Sequence, residues 1–439
     1  MTGIAAGLTG FAVLLGLMAI RIPIAVAMLA VGIGGYGLVN GWMPLLAYLK
    51  TNTYYQFSTY SLSVIPLFVL MGEFATHAGM SRALYRAAAA FLGHLRGGLA
   101  MASIGGCAAF GAICGSSLAT AATMGQVALP EMRRYNYSGA LSTGSLAAGG
   151  TLGILIPPSV ILVLYALMAE QNIAKMFVAA MIPGIIAAIG YMIAVAVYVR
   201  IRPGEGPAAP AASWAEWLAS LRETWSIILI FGVVVVGMYG GWFTPTEGAA
   251  VGAFGAFVLA VLHGGMRMGG LITCLQGTAK TSAMIFLIML GAEMFNAFLS
   301  ATQTPMLAAT MIAESGLSPM MVLAAILLLY LAMGCVMDSM SMLLLTIPIF
   351  YPIIAGLDFG MSREDTLIWF GILAVVVVEV GLITPPVGMN VFVINGMARD
   401  VPMWESFRGV MPFLISDVIR ILLLIAFPAI TLGLVRALG

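Results

Sequence analysis

The sequence predicts an all-α polytopic membrane protein built as an inverted-topology repeat, with two re-entrant helical hairpins and two broken helices. Three observations lead there. Hydrophobic residues make up 62% of the 439 and charged residues only 8%, with a mean hydropathy of +1.08. Two long apolar segments are interrupted by paired prolines, Pro157-Pro158 and Pro385-Pro386, at an offset of 228. Basic residues fall mostly on one side of the expected spans.

A soluble domain carries about three times that charge fraction. Crossing a bilayer takes runs of about 20 apolar residues, and such runs recur from end to end. A net charge of +1 leaves no basic face for nucleic acid. The four cysteines, Cys107, Cys114, Cys274 and Cys335, lack zinc-type spacing and read as small buried residues. No charge precedes Arg21, so the chain starts without the basic region of a cleaved signal. It reads as a first span that begins outside.

Spans are expected at about 4–20, 24–40, 61–78, 138–168, 176–199, 225–243, 246–263, 280–300, 366–398 and 411–434. The segments 99–130 and 318–352 are broken near their middles by Gly, Ser and Pro, and are expected as hairpins that enter and leave on one side. On this topology thirteen Lys and Arg lie inside and four outside, namely Lys50, Lys175, Arg363 and Arg436. That bias satisfies the positive-inside rule. If either hairpin crossed fully, every later loop would flip and spoil it. Both termini are then periplasmic.

The chain divides into a first repeat at 1–200, a cytoplasmic linker at 201–223 and a second repeat at 224–439. The linker carries Arg202-Pro203-Gly204-Glu205-Gly206-Pro207 and Trp214/Trp217. Residues 81–97 read as an amphipathic helix lying in the interface, with Leu84, Ala88, Phe91 and Leu95 on one face and Arg82, Arg86 and Arg96 on another. Four marks recur in register. Pro23 matches Pro245 and Glu73 matches Glu293. Gly115-Ser116-Ser117 matches Met337-Asp338-Ser339, and Gly153 through Pro158 matches Gly381 through Pro386. Each half holds five crossings and a hairpin; five is odd, so the halves lie inverted. Inverted repeats with broken helices are the signature of secondary transporters.

Paired prolines cannot continue a helix, and the carbonyls they free must line a cavity or be buried in protein. Those carbonyls suit a small hard cation, while half-helix N-termini can face an anion. Two sodium sites are expected. The first joins the tip residues Ser116, Ser117 and Thr120 to Gly149, Gly153 and Pro157. The second joins Asp338 and Ser339 to Gly381, Thr384, Pro385 and Asn390. Solute is expected against Ser116, Ser339, Pro158, Pro386 and Gly388. Of the acids within spans, Asp417 precedes Arg420 by three positions and reads as a helix-face ion pair. Glu73 and Glu293 read as structural, Asp338 as functional, and Glu379 as shaping the second break or taking part in ion coupling. No catalytic constellation stands out.

Ile368-Trp369-Phe370-Gly371, then Gly381 through Asn390 with Thr384-Pro385-Pro386-Val387-Gly388-Met389-Asn390, resemble the large membrane subunit of TRAP (tripartite ATP-independent periplasmic) transporters. Gly153 through Ser159 and Thr244-Pro245-Thr246-Glu247 extend the resemblance over essentially the whole chain. It implies sodium-driven uptake, in the bacterial inner membrane, of a carboxylate-bearing solute such as a C4-dicarboxylate or sialic acid. It also implies an elevator-type fold, a periplasmic binding protein that delivers solute, and a separate small membrane subunit of four helices. A stand-alone ion-coupled organic anion carrier of the same superfamily is the alternative.

Overall fold

In lipid a backbone without water must satisfy its own hydrogen bonds, and an apolar run does so as a helix. The computed structural model describes residues 3–314 and 316–438, and among these it has twenty α-helices and no strand. The first half runs α1 (Gly3–Ala19), α2 (Ile24–Asn40), α3 (Trp42–Phe57), α4 (Val64–His77) and α5 (Met80–Leu92). It continues with α6 (Gly98–Cys114), α7 (Ser117–Arg134), α8 (Gly139–Leu155), α9 (Val160–Met168) and α10 (Ile173–Ile201). The second half runs α11 (Trp214–Tyr239), α12 (Pro245–Leu262), α13 (Met268–Ala301), α14 (Thr304–Glu314) and α15 (Pro319–Gly334). It ends with α16 (Ser339–Ala355), α17 (Arg363–Gly381), α18 (Met389–Met397), α19 (Met403–Ala426) and α20 (Ala429–Leu438).

The order of the first half returns in the second, with α13 in the place of α3 and α4, and α19 with α20 in the place of α10. Left-handed residues fall at matched joints. Arg21 and Gly241 precede α2 and α12, Gly79 and Gln303 precede α5 and α14, and Gly97 and Gly316 precede α6 and α15. Asn136 and Gly360 precede α8 and α17.

Among the described residues, α10, α11, α12, α13 and α19 are each long and apolar enough to cross a membrane. The α3–α4 stretch, bent by 59°, and the α8–α9 stretch, bent by 44°, also qualify as pairs. Helices α1 and α2, at 17 residues each, are apolar but shorter.

The two expected breaks form at the paired prolines, and other expected boundaries move. The segments 138–168 and 366–398 are each two helices, with breaks at 156–159 and 382–388. The span expected at 411–434 stops at Phe427, because Pro428 takes away the next donor, and resumes as α20. Helices α3 and α14 stand where no element was expected. The amphipathic helix ends at Leu92, with Leu84 and Tyr85 buried and Arg82 and Arg86 exposed. Helix α11 begins at Trp214, inside the stretch expected as linker, because Ser213 and Glu216 form a capping box there.

The rest of the linker is strapped to the first half. Gly206 O accepts from Gly97 N at 2.8 Å, Glu205 O from Ser138 N at 3.0 Å, and Gly93 O from Ala209 N at 2.9 Å. Burial opposes charge on Glu205, but hydrogen bonds from Tyr198, Ser138 and Arg202 outweigh it and hold the carboxyl below its usual range. Trp217 Nε1 donates to Ala90 O at 3.1 Å, which ties α11 to α5. The halves interlock: α2 packs on α13, α4 on α12, and α8 on α19.

Candidate functional site

The two hairpins are α6–α7 and α15–α16. At the first turn Gly115 takes φ +64°, and Ser116 Oγ caps α7 by accepting from Ala119 N at 3.4 Å. At the second Asp338 caps α16, its Oδ2 accepting from Ser341 N at 2.9 Å. Serine and aspartate are good caps because a side-chain oxygen satisfies an orphan N–H of the first turn.

Both tips open on one cavity of about 430 Å³, lined by Ser116, Ser117, Asp338, Ser339 and Ser341. Helix α4 adds Glu73 and Thr76, and α13 adds Thr281. The N-terminal ends of α7 and α16 therefore face this space, with free N–H groups and the positive ends of their dipoles. A second cavity, of about 590 Å³, lies toward the opposite ends of α4 and α13 and is lined by Thr59, Glu170, Glu293, Ser300 and Tyr351. Glu73 and Glu293, matched in the repeat, thus line different cavities. Glu293 accepts from Tyr48 OH at 2.6 Å, whereas Glu73 makes no side-chain hydrogen bond among the described residues and rests on Gly277.

Each tip is pressed against its own broken helix through glycine. A Cβ on Gly153 would lie 2.5 Å from Thr120 Oγ1 and 2.9 Å from Ser116 O. A Cβ on Gly111 would lie 2.3 Å from Gly153 Cα. In the second half a Cβ on Gly381 would lie 2.6 Å from Gly334 Cα and 3.1 Å from Cys335 N. Gly111 and Gly334 stand 223 positions apart, one off the tip register of 222, a signal that the sequence itself carries.

The first expected sodium group is partly assembled. Ser116, Thr120 and Gly153 meet, Ser117 is buried beside them, and Pro157 is buried in the break. Gly149 lies a turn away, where its Cβ would meet Cys107 Sγ at 2.9 Å. The second group divides. Asp338, Ser339 and Gly381 stay at the tip, but Thr384 Oγ1 donates to Val380 O at 2.6 Å and Pro385 is exposed. Asn390 leaves this group for the first half, where its Nδ2 donates to Ala147 O at 3.2 Å. Of the expected solute contacts, Ser116 and Ser339 line the cavity. Pro158 is buried behind Gly115, Pro386 is exposed on its loop, and Gly388 is buried with its N–H toward Cys335 O at 3.4 Å.

Buried polar atoms almost always have a partner. Thr120 Oγ1, Asn390 Oδ1 and Glu379 Oε2 are buried without a hydrogen bond. Thr120 Oγ1 left open this way, with the Ser116 carbonyl beside it at Gly153, fits the demand of a small hard cation for oxygen ligands.

Behind the tips lies a polar core. Arg420 Nη2 stands 2.8 Å from Asp417 Oδ1, Tyr191 OH donates to Asp417 Oδ2 at 2.9 Å, and Thr151 Oγ1 lies 3.2 Å from Tyr191 OH. The expected Asp417–Arg420 pair is therefore formed, and it is buried with a tyrosine from the other half.

The fold and sequence both have known counterparts. The large permease protein DctM of a C4-dicarboxylate TRAP transporter from Pseudomonas aeruginosa is 38% identical over 87% of this chain and 87% of its own. The large permease protein SiaM of a sialic acid TRAP transporter from Vibrio cholerae is 31% identical over 85% of this chain and 86% of its own. The YdaH transporter of Alcanivorax borkumensis shares the fold at a TM-score of 0.62 and 14% identity, over 88% of this chain and 90% of its own. Because residues 11–430 also match the model for the DctM component of the tripartite ATP-independent periplasmic transporters, this multi-pass membrane chain belongs to that family as a large permease subunit.

Proposed function

We propose that the chain imports a carboxylate-bearing solute, such as a C4-dicarboxylate or sialic acid, by sodium-coupled symport across a bacterial inner membrane. The observation that carries this reading is the single cavity onto which both hairpin tips open, with Asp338 and four serine hydroxyls on its wall. Sodium seats at the tips neutralise an incoming carboxylate, and the N-terminal ends of α7 and α16 supply the remaining attraction for an anion. The Ser116 hydroxyl orients the solute, with Ser339 beside it on the cavity wall.

The halves 1–200 and 224–439 act as inverted repeats joined through 201–223, and both termini are periplasmic. With Arg82 and Lys280 inside, the cavity at the tips faces the cytoplasm and the one holding Glu293 faces the periplasm. Helices α6 to α10 and α15 to α20 then move as a block along α4 and α13, exchanging one opening for the other. A periplasmic binding protein delivers the solute, and a small membrane subunit of four helices braces the outer face.

The reading is tested with the reconstituted complex in liposomes, offering succinate or N-acetylneuraminate with candidate binding proteins. Uptake is expected only with an inward sodium gradient and the matching binding protein. Uptake without either component would overturn it. Within this assay Asp338→Ala and Ser116→Ala are expected to raise the half-activating sodium concentration by about tenfold or more, since even outer-shell changes at metal sites cost that much. Unchanged sodium activation in both variants would remove these residues from coupling.

A further inference from the structure

Glu379 is wholly buried, in the last turn of α17 two residues before Gly381. A carboxylate there stands at the negative end of its own helix, so the helix does not stabilise it. Its stabilisation comes from the hairpins. Ser339 Oγ, at the second tip, donates to Glu379 Oε1 at 2.6 Å. Ser117, 2% exposed at the first tip, also faces this carboxylate, whose Oε2 is buried and has no hydrogen bond. Ser117 and Ser339 are repeat-matched, at an offset of 222, and each is the first residue of its helix. One carboxylate therefore stands between two equivalent serines, bonded to Ser339 at 2.6 Å and within reach of Ser117. The charged groups facing it are Asp417 and Arg420 of α19; α7 and α16 present hydroxyls. In the first half its matched position is Thr151, which is bonded to Tyr191 instead.

We propose that Glu379 is the positioning residue that couples the two cation seats, by orienting Ser339 at one tip and Ser117 at the other. The proposal rests on the sodium-coupled reading above. A hydroxyl has one proton and two lone pairs. Once the proton is given to Glu379, only lone pairs remain to face a cation. Partners of this kind orient ligands in metal sites generally. The Ser339 bond fixes the plane of the carboxylate and aims Oε2 toward the first tip. A cation at the first tip turns the Ser117 proton away from itself and onto Oε2. Each bond made thus prepares the other, and the two seats fill together.

The test is a titration of sodium chloride, with choline chloride holding ionic strength, into the chain with its small subunit in nanodiscs. The thermal midpoint reports binding to the native state. The wild type is expected to respond with a Hill coefficient near its limit of about two for two sites. In Glu379→Gln it is expected to fall to about one, with half-saturation raised about tenfold. In a Ser339→Ala background Glu379→Gln is expected to add little, because the two share one interaction. Wild-type steepness in Glu379→Gln, or full additivity with Ser339→Ala, would overturn the proposal. If Glu379→Gln does not assemble, Glu379→Asp keeps the charge but is a methylene too short to hold both serines. It should lose steepness as well, and a steep response from it would overturn the proposal too. A wild type without any sodium-specific response would sink the sodium-coupled reading itself, before any variant is compared.

Discussion

Alanine at Gly381 or at Gly153 is expected to abolish uptake while the chain still inserts. The added Cβ at Gly381 meets Gly334 Cα and C at 2.6 Å, and both are backbone atoms that no rotamer change can move aside. At Gly153 it meets Ser116 O at 2.9 Å and Thr120 Oγ1 at 2.5 Å. Overpacking of this kind costs about 1–3 kcal/mol and sometimes more. A fixed backbone neighbour places these sites at the upper end. The strain resolves only if the hairpin leaves its broken helix, which pulls the tip oxygens apart. Gly34, with nothing within 4 Å of its would-be Cβ, is the control, and Gly34→Ala should transport normally. Normal uptake by Gly381→Ala would show that the tip-to-break contact is not needed.

The second large effect is on stability. Asp417→Ala leaves Arg420, 3% exposed, without its ion pair. Removing one partner of a buried pair costs about 3–5 kcal/mol, because the remaining charge is stranded away from water. Denaturant unfolding of the detergent-solubilised protein should show this loss. The double variant Asp417→Ala/Arg420→Met should regain most of it, since Met fills the space without a charge. A single-variant loss under about 1 kcal/mol would mean that water or a neighbour reaches Arg420.

The architecture was legible wherever the chain uses prolines, glycines and long apolar runs. Pro157-Pro158 and Pro385-Pro386 mark both breaks, and the matched Gly115-Ser116-Ser117 and Met337-Asp338-Ser339 mark both tips. Helix α3 escaped notice because Lys50, Thr51, Asn52, Thr53 and Gln56 make its second half polar, and composition then argues for a loop. Helix α14 follows α13 after a turn at Gln303, a left-handed residue that is not glycine and carries no sequence signal. The break before α20 could have been read from Pro428, which disfavours helix in the residue before it. The site was legible by residue and less so by partner. Asn390 was grouped by its place in the chain, yet it leans on Ala147 across the repeat boundary. Sequence register shows which positions correspond, but not which half a side chain touches. Glu379 was seen as an acid within a span; its bond to Ser339, 40 positions away, needed coordinates.

The two proline pairs differ in cover. Pro157 and Pro158 are buried, whereas Pro385 and Pro386 are exposed. Identical motifs thus give one sheathed corner and one bare one. The sheathed corner is therefore held by packing on every side, whereas the bare one leaves Pro385 and Pro386 open to solvent, lipid or another chain.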